Sequence, residues 1–153
     1  MAFALITDTE VGSPDTNTVT TPSIDTTGAT LLVATVSSYE PNSQPTFSDS
    51  KGNTWTALTA YAETTLVRQR TYYCIGGTVG SGHTFTATGS VIFASIVVAA
   101  YSGTSPTFEA ETGAHSAGVT TLQPGTLTPS GDNRLVVCCS GDGDGTTSRS
   151  IDG

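Results

Sequence analysis

The sequence predicts an all-β protein, an antiparallel β-sandwich of jelly-roll or immunoglobulin-like type with about 8–10 strands. Three observations carry that expectation. Small polar and β-branched residues dominate, with 30 Thr and 17 Ser among 153 residues, a composition suited to pleated, half-exposed surfaces. Clusters of Gly, Pro, Asn, Asp and Ser punctuate the chain roughly every 8–15 residues, the spacing of short strands joined by turns. No long stretch has a helical period or a helix-favouring Lys/Glu/Leu composition.

Taken in order, the candidate strands are residues 3–8, 18–21, 30–38, 46–48, 54–61, 67–75, 83–88, 91–101, 119–122 and 134–140. Three contain nearly continuous apolar runs: Leu31-Leu32-Val33-Ala34, the run inside 91–101, and Leu135-Val136-Val137-Cys138-Cys139. Such runs predict strands covered on both faces, or strands in the middle of a sheet covered by a neighbour. The others alternate: in 54–61, Trp55, Ala57, Thr59 and Tyr61 share one face, opposite Thr56, Leu58 and Ala60. Two hairpins follow from turn chemistry. Asp49-Ser50-Lys51-Gly52-Asn53 would join 46–48 to 54–56, with Gly52 taking a positive φ, and Gly80-Ser81-Gly82 would join the Tyr-rich strand to 83–86. Residues 102–131 are poor in apolar side chains and predict long loops around one or two short edge strands, where a sandwich carries recognition.

The length fits a single β-sandwich domain over residues 1–153. Hydrophobic residues make up 36% and charged residues only 12%, with a net charge of −8. Lys51 is the sole lysine, so no basic face exists to neutralise phosphates, and nucleic acid is excluded as a partner. The first ten residues lack the basic segment of a signal peptide, and the longest apolar run is interrupted by Ser95 and falls short of the ~20 residues of a spanning helix. A soluble protein without a membrane partner is expected. Cys138 and Cys139 are adjacent and point to opposite faces of any strand, which with Cys74 predicts reduced thiols rather than a metal site or an ordinary disulfide.

Several constellations touch on chemistry. The segment Gly77-Thr78-Val79-Gly80-Ser81-Gly82-His83-Thr84 nearly spells a phosphate-binding loop, but His83 replaces the lysine and no helix follows. The Gly141-Asp142-Gly143-Asp144-Gly145 run makes Asp142, Asp144 and Asp152 a weak calcium candidate, because it lacks the remaining oxygen ligands of a known loop. Glu109 and Glu111 could face one way as paired carboxylates, without an apolar pocket to raise either pKa. His83 and His115 are the only histidines, and no nucleophile or zinc signature accompanies them. The chain therefore predicts no enzyme, no catalytic residue and no cofactor. Trp55, Tyr72 and Tyr73 offer the alternative of a sugar-stacking surface, as in a carbohydrate-binding module or cell-surface adhesin.

The order of elements carries a resemblance. A Leu31-Leu32-Val33-Ala34 strand precedes a proline-containing loop and Ser48-Asp49-Ser50-Lys51-Gly52-Asn53-Thr54-Trp55. A Tyr-rich strand ending in Gly76-Gly77 follows, then an apolar strand closing in Ala100-Tyr101-Ser102-Gly103 and a late strand ending in Ser140-Gly141. Most of the chain resembles β-sandwich structural proteins of bacteriophage virions, of decoration or fibre type, and related bacterial surface proteins. That class continues with further strands after the segment matching Ser150-Ile151-Asp152. The resemblance implies a non-enzymatic virion component, assembled in the host cytoplasm, that docks on a major capsid or other virion protein as a homo-oligomer, with a trimer favoured.

Overall fold

A computed structural model describes residues 2–39, 44–62, 67–115 and 123–140. Its strands are β1 (Ala4–Thr20), β2 (Leu31–Tyr39), β3 (Thr46–Asp49), β4 (Thr56–Ala62), β5 (Arg68–Ile75) and β6 (Phe85–Ser102), and all their pairings are antiparallel. No helix occurs among the described residues.

The strands form two sheets of five and three strands packed against each other, a β-sandwich. The larger sheet has the order β1-β6-β2-β5-β4, and β3 pairs with β6 apart from it. Both sheets share β1 and β6. The C-terminal part of β6 pairs with the start of β1 and with β2, while its first residues pair with Val19 and its neighbours on β1 and with β3. Register shifts between Ser13 and Thr16 and again between Thr16 and Thr18 mark where the ribbon turns from one sheet into the other. Bulges add twist and bend the strand that carries them.

The 3–8 and 18–21 candidates are thus the two ends of β1, and 83–88 and 91–101 merge into β6. Both expected hairpins are corrected. The 49–53 turn forms, with Gly52 at φ 72° and its N–H on the Asp49 carbonyl at 3.3 Å. However, β3 pairs with β6 and β4 with β5, so the turn carries the chain between sheets. Gly80-Ser81-Gly82 does the same between β5 and β6. A turn's chemistry sets its own backbone, whereas the strand's partner depends on which face finds the core.

That core lies between the sheets. Ala34, Val36, Tyr72, Ala94, Ile96 and Val98 of the larger sheet meet Val19, Phe85 and Ala87 of the smaller one, with Phe47, Trp55 and Val11 packed at the margin. Three alanines among these leave room for rings. Phe47 sits 4.9 Å from Trp55 and 5.0 Å from Tyr72, centroid to centroid, and 6.5 Å from Phe85. Ala29, Leu32, Cys74 and Ala100 close one end.

The apolar run of β6 lies in the middle of the larger sheet, between β1 and β2, but is not covered on both faces. Ala94, Ile96, Val98 and Ala100 are buried, while Phe93 is 44% and Val97 49% exposed. Residues 134–140 form no strand, and 119–122 fall outside the described residues. The threonine richness is used in cross-strand hydroxyl pairs, Thr20 with Thr86 at 2.9 Å and Thr35 with Thr71 at 3.2 Å.

Candidate functional site

The densest polar cluster is built where three loops meet at the end of the sandwich. Asp49 ends β3 and begins an Asx turn: its Oδ1 accepts the Lys51 N–H at 2.7 Å and the Asn53 Nδ2 at 3.3 Å. Its Oδ2 accepts the Trp55 indole N–H at 2.5 Å. Asn53 then grips the 76–80 loop, donating to the Thr78 carbonyl at 2.9 Å and accepting the Thr78 N–H at 2.6 Å. Gly77 is required by this approach, since a Cβ there would lie 2.5 Å from Cys74 Sγ and 2.7 Å from Asn53 Oδ1.

His83 completes the cluster. An isolated bridge to Ile24 places it just before β6, and its ring stacks on Phe85 at 4.3 Å. Its Nε2 lies 3.1 Å from Asp49 Oδ1, with both side chains fully buried, though off the alignment of a full hydrogen bond. On its other side, Nδ1 shares a hydrogen bond with the Thr26 hydroxyl at 2.9 Å. Thr26 Oγ1 in turn accepts the Gly80 N–H at 3.0 Å. Burial pushes the Asp49 carboxyl up, but hydrogen bonds from the Trp55 indole, the Lys51 N–H and the Asn53 N–H, together with the close His83 ring, outweigh it, so its pKa is lowered.

Threonine, imidazole and carboxylate follow one another as in a nucleophile relay, but Thr26 and His83 have no exposed surface. A reacting group must meet its substrate. In this position the relay clasps the 21–30 segment, the 49–53 turn and the 76–84 loop together.

The other candidate residues fall in separate places. Tyr72 is buried at 7% and Trp55 packs beside it in the core. Tyr73 faces the opposite side of the sheet, stacked on Phe108 at 5.3 Å with 4° between the planes. The structure does not bring Trp55, Tyr72 and Tyr73 onto one face. Glu109 and Glu111 hold different partners. Glu109 accepts the Ser130 N–H at 2.5 Å and faces Arg134 Nε at 2.7 Å, and the Ser130 hydrogen bonds followed by the Arg134 charge lower its pKa. Glu111 accepts the Thr59 N–H at 3.2 Å, on β4, an end strand among the described strands. Asp142, Asp144 and Asp152 lie outside the described residues. Cys74 is buried, Cys138 exposed and Cys139 half-buried. Among the described residues, no three His, Cys, Asp or Glu side chains converge as a metal site.

What the molecule offers outward is the second face of the larger sheet. Tyr39 and Phe93, ladder partners, meet edge to face at 5.9 Å and are 43% and 44% exposed. Val97 continues the stripe, and Asp8 and Glu10 of β1 stand beside it, paired with Ala99 and Val97. Over the β4–β5 side, the chain following β6 covers the face: Phe108 rests on Tyr73, and Cys139 Sγ accepts the Thr35 hydroxyl at 2.9 Å. Thr35, on this outer face, is 7% exposed for that reason.

The Asp49–His83 contact was not foreseen from sequence. The Asx-turn signal at Asp49 is local and visible, whereas its meeting with His83 depends on the β3–β6 pairing. Compared with known proteins, the chain matches no family model, no curated protein and no solved structure.

Proposed function

We propose that this chain is a non-enzymatic structural protein of a bacteriophage virion, a capsid decoration (cement) protein or a head- or tail-fibre module that binds a coat lattice. One observation carries the proposal. The densest polar cluster, Asp49, His83 and Thr26, is turned inward and buried, while the outward surface presents an apolar sheet face at Tyr39, Phe93 and Val97 and, at residues 7–13 of β1, an edge that no described strand pairs. Sheet faces and edges bind other proteins by shape and strand addition. The order of elements around Ser48–Trp55 adds the resemblance to virion sandwiches.

Density-gradient fractionation of the producing culture, with quantitative peptide mass spectrometry across the gradient, tests it. The protein is expected to peak with DNA-filled particles at a stable ratio to a coat protein, and that ratio separates a shell from an appendage. Recovery with soluble protein or cell envelopes would refute a virion role and favour a glycan-binding surface protein.

A further inference from the structure

Residues 134–140 have no place in either sheet. They read Arg-Leu-Val-Val-Cys-Cys-Ser, a run of high strand propensity, yet no described strand pairs with them. Val136 is 59% and Val137 40% exposed. Near its two ends, Arg134 lies on Glu109 at 2.7 Å, and Cys139 Sγ accepts the Thr35 hydroxyl at 2.9 Å. Between these points an apolar strand-like backbone faces water, which can satisfy its amides but not its side chains.

The same molecule carries an open acceptor. Among the described strands, β1 pairs only with β6, and none pairs with the other side of its residues 7–13. The remaining edges are less suitable. β4 is interrupted by a register shift between Ala57 and Ala60, and its Thr59 N–H is held by Glu111. β3 has four residues. On β1, residues 7–13 run in regular register between the shifts at Leu5/Thr7 and Ser13/Thr16, a stretch equal in length to 134–140. Asp8 and Glu10 are exposed there, and 134–140 bring no carboxylate that would repel them.

We infer that residues 134–140 of one copy add as a strand to β1 residues 7–13 of a second copy, so that the protein self-associates by β-strand addition. A chain does not serve its own edge while its anchors hold, because Cys139 sits on Thr35 of β2 and β6 lies between β2 and β1. Two strand spacings, about 10 Å, separate the anchor from the edge. Donor and acceptor are different surfaces, so the contact is heterologous and closes into a ring when the rotation permits. This goes beyond the virion assignment and does not rest on it.

The test joins sedimentation velocity of the full chain over a wide concentration range with hydrogen exchange read peptide by peptide. The wild type is expected to associate, with the amides of residues 7–13 slowing as it does so. Val137→Pro removes an amide from an exposed position and is expected to weaken association at least tenfold and to release those amides. Val137→Asp sets a carboxylate opposite Glu10, since residue 137 faces it when 134–140 lie along 7–13 in either direction, and is expected to act in the same direction. It is the deciding variant if Val137→Pro lowers the melting temperature. A monomer at every concentration overturns the inference, as does association unchanged in both variants. Protection of residues 7–13 independent of concentration also overturns it, and would show the segment pairing within its own chain.

Discussion

At the residue scale, Asp49 shows how one side chain joins segments far apart in sequence. It holds the Lys51 and Asn53 turn and the Trp55 indole, and it faces the buried His83 ring. Removing a carboxylate that accepts these hydrogen bonds leaves buried donors unsatisfied, which costs about 1–3 kcal/mol. Asp49→Ala is therefore expected to lose stability of that order in urea unfolding. Because the Asp49 pKa is lowered by folding, the stability it contributes is present above the ordinary carboxyl value of 3.8 and is lost as the pH falls through its depressed folded value. Acid titration of wild type against Asp49→Asn should show that the wild type loses more stability below this point. At Gly77 there is no room for a Cβ between Cys74 and Asn53, so Gly77→Ala should destabilise by about 1–3 kcal/mol through overpacking.

At the scale of elements, β6 carries two faces with opposite fates. Ile96 is fully buried, whereas its neighbour Val97 is 49% exposed. Ile96→Ala should cost about 2–5 kcal/mol, and Val97→Ala should stay within about 0.5 kcal/mol. Chemical denaturation of the two variants separates them. The segment after β6 is fastened mainly by carboxylates, Glu111 on the Thr59 N–H and Glu109 on Ser130 and Arg134. These exposed bonds are individually weak. In Glu111→Ala, limited proteolysis should cut residues 103–115 faster while the unfolding midpoint of the sandwich barely moves. The apolar runs that identify β2 and β6 were legible in the sequence. The exposure of one β6 face was not, because an apolar side chain looks the same whether a neighbour covers it or not.

At the scale of the whole molecule, a net charge of −8 opposes the approach of identical chains. Self-association through β1 and residues 134–140 should therefore strengthen with added salt, as screening shortens the reach of that repulsion. A contact held by salt bridges would weaken instead. Sedimentation at low and high ionic strength distinguishes the two.

The sequence by itself determined that the protein is all-β and where its chain turns, because strand propensity, alternation and the Asp49–Asn53 and Gly80–Gly82 turn residues act over a few neighbouring positions. It also determined the lack of a basic face, since charge is counted rather than folded. Only the tertiary structure decided that those two turns link different sheets, that β1 and β6 each run through both, and that His83 meets Asp49 while Tyr72 and Tyr73 part to opposite faces. These are contacts between distant segments, selected by how the rings of Phe47, Trp55, Tyr72 and Phe85 fill one interior together. No short window of sequence contains that choice.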